Sequence, residues 1–141
     1  QERYYHEVVV PSFSADRPRI ILFSYLRNES CIGYGGLTNI DWDSRRAEIS
    51  FLVNTDRTRD HAVYKEDFAA FLHLMKQAAF GTLQFNRLFT ETFDIRPHHI
   101  RILEENGFRL EGRMRQHVII QGQPVDSLIH GCLKEYCDVE R

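Results

Sequence analysis

The stretch from Leu88 to Phe108 constrains what this chain can fold into more than any other. An alternating run (Leu88, Phe89, Thr90, Glu91, Thr92, Phe93) stops at Arg96-Pro97, then restarts at helical spacing with Ile100 and Leu103. Gly107 closes it, at the place where a left-handed C-cap is expected. The pattern predicts a strand, a sharp turn, a short helix and a stop.

Around this unit the periodicity keeps changing. Residues 1 to 18 mix Tyr4, Tyr5 and Val8-Val9-Val10 with Pro11 and Pro18, which discourages a long helix, and an irregular segment is expected. Arg19 to Arg27 and Cys31 to Ile40 read as a hairpin about Asn28-Glu29-Ser30; Arg46 to Val53 is the next strand, after the turn Asp41-Trp42-Asp43-Ser44. From Val63 or Asp67 to Phe80 the period becomes helical, with Phe68, Phe71, Leu72, Met75, Ala78 and Ala79 on one face. After the strand Arg87 to Phe93 and the helix Pro97 to Glu105, Met114 to Ile120 and Val125 to Leu133 form two strands around Gln121-Gly122-Gln123-Pro124. The order β-β-β-α-β-α-β-β is an α+β meander with one parallel crossover.

Size and composition fit a single domain: 141 residues, 43% apolar, enough for one ordinary core. A net charge of -2, from 18 basic and 20 acidic residues, gives no electrostatic reason to expect a nucleic-acid partner. No window approaches the roughly 18 apolar residues that span a bilayer, and no signal peptide opens the sequence, so a soluble, cytoplasmic protein without a membrane partner is expected. Cys31, Cys132 and Cys137 lack close pairing and read as reduced thiols, with neither a disulfide framework nor a zinc site implied. No His/Cys/Asp cluster has metal spacing, and no metal is expected.

The Leu88–Phe108 unit resembles the strand and helix of the Gcn5-related N-acetyltransferase (GNAT) superfamily, and the resemblance covers roughly residues 19 to 134. Four phrases in order are similar to the branch of ribosomal-protein and polyamine N-acetyltransferases. They are Cys31-Ile32-Gly33-Tyr34-Gly35-Gly36-Leu37, Ala47-Glu48-Ile49-Ser50-Phe51-Leu52-Val53, Gly107-Phe108-Arg109-Leu110-Glu111-Gly112-Arg113 and Gly122-Gln123-Pro124-Val125-Asp126. The resemblance implies a three-layer α/β sandwich: a mixed, largely antiparallel sheet with a splayed parallel strand pair and flanking helices. The family's first strand and first helices need more residues than precede Arg19, so these elements are expected to be missing or shortened.

The implied activity is transfer of acetyl from acetyl-CoA to a primary amine of a small molecule or a protein N-terminus. Where the two parallel strands splay at a bulge, exposed main chain can bind the pantetheine arm and polarise the thioester; Phe51, Leu52 and Val53 are the candidates. Glu48 is the candidate for removing the amine proton, with Glu91 second; a cross-strand partner for Arg45 or Arg46 is the plainer role for Glu48. The family's glycine-rich pyrophosphate loop has no counterpart between Asn54 and Asp67, a stretch without glycine. Arg57, Arg59 and Lys65 could supply charge there instead, and Arg96 and His99 could face coenzyme A from the short helix. Many members protonate the departing thiolate with a Tyr where this chain has Leu103. A catalytically weak or inactive acyl-CoA-binding, regulatory domain of a larger protein is the alternative, and a homodimer or a fused partner domain stays open.

Overall fold

The computed structural model describes residues 3–10, 17–27, 30–53 and 58–136. Among these residues seven strands form one sheet in the order β1-β2-β3-β4-β5-β7-β6. They are β1 (Arg3–Val10), β2 (Ile20–Arg27), β3 (Ser30–Asp41), β4 (Arg46–Val53), β5 (Arg87–Phe93), β6 (Arg109–Ile120) and β7 (Gln123–Leu133). Helix α1 (His61–Lys76) joins β4 to β5 and α2 (Pro97–Glu105) joins β5 to β6. Among the described residues only the β4–β5 neighbours run parallel, and every other pair is antiparallel. The mixed sheet, the single parallel pair and both helices match the sequence expectation. No helix among the described residues is long and apolar enough to cross a membrane.

The first segment departs from it. Arg3–Val10 is not irregular but a strand, paired with β2 from Arg3↔Arg27 to Val10↔Ile20. Tyr4, Tyr5 and the three valines favour an extended chain, and Pro11 follows the strand instead of interrupting it. At the other edge β6 begins at Arg109, not Met114. Register shifts between Leu110/Gly112 and between Met114/Val118 blur its alternation, and almost all of it is exposed. Its hairpin to β7 turns on two residues, Gln121 (φ 51°) and Gly122 (φ 78°), so Gln123 and Pro124 belong to the strand.

The core lies between the sheet and the two helices. Phe68, Phe71, Leu72 and Met75 of α1, Ile102 and Leu103 of α2, and Ile49, Ala47 and Leu88 of the sheet form one buried cluster. Phe51 lies 4.5 Å from the Phe71 ring and stacks on Phe68 at 5.0 Å. Trp42 packs edge-on against Phe85 at 5.1 Å and donates its indole N–H to the Pro18 carbonyl, so it belongs to the packing. Asp60, whose carboxylate accepts from the Ala62 and Val63 N–H groups, starts α1 two residues ahead of the earlier expected boundary; the helix runs out through a π-turn, Gln77–Thr82. Gly107 has φ 93°, as the C-cap reading required. Cys31 is free and exposed, but Cys132 is disulfide-bonded, so the reduced-thiol reading holds for the first and fails for the second.

Candidate active site

Strands β4 and β5 pair at Arg46↔Arg87, Ala47↔Leu88 and Glu48↔Phe89, and then part. Each keeps its outer neighbour: β4 stays in register with β3 to Gly33↔Val53, and β5 with β7 to Phe93↔Ser127. The result is a wedge-shaped opening within the sheet. The register irregularity that accompanies it is not in the splayed pair. It lies in β3 between Thr38 and Asp41, where Asn39 takes φ 47°.

Strand alternation decides which main-chain groups line the wedge. The Arg45 carbonyl accepts from the Asn86 N–H at 2.8 Å, so odd-numbered residues of β4 turn their polar backbone toward β5. The Glu48 carbonyl accepts from the Thr38 hydroxyl, and the Ser50 carbonyl lies against Gly35, so the even-numbered ones turn toward β3. Past Glu48, the N–H and C=O groups of Phe51 and Val53 therefore face the wedge without a strand partner among the described residues. Those of Leu52 face β3, and its side chain is 68% exposed on the sheet surface. Arg87 donates its N–H to Arg45, which by the same alternation turns the main chain of Glu91 and Phe93 to the wedge from the β5 side.

A cavity of about 250 Å³ fills this opening, lined on the helix side by Phe51, Phe68, Thr90, Thr92, Arg96 and His99. Glu48, Ser50, Glu91 and Thr38 line it as well. Glu48 accepts from the Asn39 amide at 2.8 Å, and not from Arg45 or Arg46; Arg46 pairs with Asp41 instead. Glu91 accepts from the Ser127 hydroxyl at 2.6 Å. Thr90, 4% exposed, has a hydroxyl with no hydrogen-bond partner among the described residues.

A second cavity, about 470 Å³, lies where α1 and α2 begin, lined by Thr58, His61, Tyr64, Ile95, Arg96, Pro97, His98 and His99. Arg96 and His99 line both, and so stand between the outer cavity and the wedge. A hydrogen-bonded chain links them. Arg96 Nη2 donates to the Tyr64 hydroxyl at 3.1 Å, and that hydroxyl lies 2.7 Å from His99 Nδ1. Burial holds the His99 imidazole far below its usual 6.5, to about 3, with the Arg96 guanidinium adding to the effect. Burial likewise pushes the Tyr64 phenol above its usual value, against the pull of Arg96. His99 stacks on Phe68 at 4.3 Å, and His98 on His61 at 4.2 Å.

The two helix starts differ. The first free N–H groups of α1 are taken by the Asp60 carboxylate, whereas α2 has no side-chain cap and carries Arg96 at its N-cap position. Of the residues singled out from sequence, Glu48, Phe51, Glu91, Arg96 and His99 meet in one cavity. Val53 ends β4 at the wedge mouth, Arg57 lies outside the described residues, Arg59 is exposed just before α1, and Lys65 pairs with Glu105 of α2 at 3.5 Å. Leu103 is fully buried in the core, out of reach of any thiolate. Sequence reasoning missed Tyr64 and Thr90. The first carried a usable signal, a polar-tipped ring one turn before Phe68 on the apolar face.

Comparison with known proteins agrees with this architecture. Residues 5–129 match the acetyltransferase (GNAT) domain family. The fold is shared with the F149A mutant of spermidine N-acetyltransferase SpeG from Vibrio cholerae (TM-score 0.75, 19% identity, covering 83% of this chain and 67% of that one). It is shared also with a probable acetyltransferase (TM-score 0.72, 24% identity, 83% and 63% covered) and with SpeG solved with manganese ions (0.75, 19%, 83% and 66%). The chain thus spans about two thirds of the length of these structures. No curated protein sequence matches it. The chain belongs to the GNAT acetyltransferase family and is an enzyme of that class.

Proposed function

We propose that this enzyme transfers acetyl from acetyl-CoA to a primary amine by direct attack in the β4–β5 wedge. The observation that carries the reading is the loss of pairing after Glu48↔Phe89, which leaves the Phe51 N–H free beside a cavity holding two carboxylates. The pantetheine arm fits as a partial added strand, and the Phe51 N–H is placed to donate to the thioester carbonyl as it becomes an oxyanion. Glu48 takes the proton that the attacking amine must lose, directly or through water. Glu91, tied to Ser127, lines the same cavity and suits a cationic amine. Such a pair fits a polyamine, as spermidine is for the SpeG N-acetyltransferase of Vibrio cholerae, as well as an amino sugar or a peptide N-terminus. Arg96 and the uncapped start of α2 supply positive charge for the phosphates in the outer cavity, with Arg59 just before α1 and Lys65 within it as further cations and Arg57 as a candidate from sequence alone. The acetyl-CoA pool of the cytoplasm is its co-substrate source.

One observation favours a second reading, a regulatory acyl-CoA-binding domain without turnover: the Asp60 carboxylate occupies the N–H groups of α1 that a pyrophosphate would use. Calorimetric titration with acetyl-CoA, followed by thiol release over an amine panel, separates the two. Binding with turnover is expected, and Glu48→Gln should lower kcat by at least about tenfold. Binding without turnover on any amine would favour the second reading, and unchanged turnover in Glu48→Gln would remove Glu48 from the mechanism.

A further inference from the structure

We infer that His99, supplied by Tyr64, delivers the proton that the departing coenzyme A thiolate takes up. This rests on the acetyl-transfer reading of the wedge. The position at which many relatives of this fold carry a tyrosine for the task holds Leu103, which is packed in the core. Another donor has to serve.

The hydrogen-bond pattern assigns the protons. Arg96 can only donate, so the Tyr64 oxygen accepts from it; among the described residues His99 Nδ1 is the one neighbour of that hydroxyl able to accept, and on this ground the phenolic hydrogen is assigned to it. With Nδ1 accepting, the neutral imidazole carries its own hydrogen on Nε2. That nitrogen has no hydrogen-bond partner among the described residues and is not among the sealed buried atoms, and the ring lines the wedge cavity. His99 therefore presents a fixed tautomer with a free N–H donor at the cavity wall. Its ring is held from behind by stacking on Phe68 at 4.3 Å.

The step balances as follows. Amine nitrogen has bonded to the carbonyl carbon and lost its proton toward Glu48. As the C–S bond breaks, its electron pair goes to sulfur, and sulfur takes the Nε2 hydrogen of His99. Nδ1 takes the phenolic hydrogen of Tyr64, so the imidazole stays neutral throughout. The tyrosinate is left against the Arg96 guanidinium; after the thiol departs, the Nδ1 hydrogen returns to the Tyr64 oxygen and Nε2 takes a proton from solvent, which restores both groups. Burial keeps the phenol protonated until that moment, and Arg96 offsets the charge that then develops. Neither histidine nor tyrosine alone would do: a neutral imidazole N–H is too weak an acid unless its other nitrogen is reprotonated in the same step. Here His99 is the catalytic residue and Tyr64 a positioning residue that also feeds it.

The test uses the whole chain. Tyr64→Phe keeps the ring and removes the one hydrogen, so kcat should fall about a hundredfold with the dissociation constant of acetyl-CoA within about twofold. His99→Gln should fall comparably, and the double variant should be no slower than the worse single one, because the two act as a unit. A ¹⁵N spectrum of the side chain, independent of activity, should show His99 as the Nε2–H tautomer in the wild type and a tautomer mixture in Tyr64→Phe. Wild-type turnover with Tyr64→Phe within threefold of it, additive losses in the double variant, or an Nδ1–H tautomer would each overturn the relay while leaving the acetyl-transfer reading intact. A wild type that turns over no amine would overturn both.

Discussion

Replacing Gly35 with alanine tests how closely α1 is pressed onto the strands that form the wedge. A Cβ at this position would sit 2.4 and 2.7 Å from two atoms of the Phe71 ring and 2.6 Å from the Ser50 carbonyl oxygen. The ring is fully buried and has no free side to turn to. The carbonyl belongs to the β3–β4 ladder, one residue before the Phe51 main chain that faces the cavity. Overpacking of this kind costs about 1–3 kcal/mol, and the upper end applies because one of the two obstacles is backbone. Gly35→Ala should therefore lose about 3 kcal/mol in urea unfolding followed by circular dichroism. Phe71→Leu alone should cost about 1–2 kcal/mol. Combined, the two should be less damaging than their sum by at least about 1 kcal/mol, since leucine withdraws the ring atoms but leaves the carbonyl in place. Gly81→Ala is the internal control: nothing lies within 4 Å of its Cβ and it sits in a helical turn, so a neutral result or a gain of up to about 1 kcal/mol is expected. A Gly35→Ala protein within about 0.5 kcal/mol of the parent would refute the packing argument.

His99 gives a pH signature. Its folded-state value, about 3, lies below the ordinary 6.5, so between these limits the unfolded chain binds one more proton than the folded one. Its contribution to stability is present above pH 6.5 and declines on acidification by about 1.4 kcal/mol per pH unit until pH 3, and His99→Gln should flatten this part of the profile. The lowered carboxylates of Glu111, held by Arg87, and of Asp126, held by Gln116 N–H and Arg113, add losses that begin only below about pH 4.5. Asp60→Ala removes the acceptor of two α1 N–H groups and should cost about 1 kcal/mol of stability. Asp60→Asn keeps the cap and should tighten acetyl-CoA binding by removing a negative charge from the phosphate side; weaker binding would count against the outer cavity as the phosphate site.

Much of this fold was legible in the sequence because its elements declare themselves locally. The alternation through Arg46–Val53 and Arg87–Phe93, the i, i+3, i+4 face of α1 and the Gly107 stop each depend on residues a few positions apart. Arg3–Val10 was obscured because Pro11 and Pro18 flank a strand that only its pairing with β2 stabilises. The near end of β6 was obscured because an edge strand exposed on both faces needs no alternation. The wedge could be expected only from resemblance, since nothing local to β4 or β5 marks the residue after which they part. Tyr64, Arg96 and His99 illustrate the remaining limit: α1 and α2 bring them together across more than thirty positions, and no spacing rule reaches that far. Asp60 is the opposite case, an acidic N-cap readable from its own position just ahead of the helical period.

The Phe51 amide offers the most direct measurement. In ¹⁵N-labelled protein titrated with acetyl-CoA, its N–H resonance should move downfield and its exchange with solvent should slow by at least about tenfold as the thioester carbonyl takes up the free donor. A Phe51 amide that stays in place at saturation, or one already protected in the free protein by a partner on β5, would contradict an open β4–β5 wedge as the seat of the chemistry.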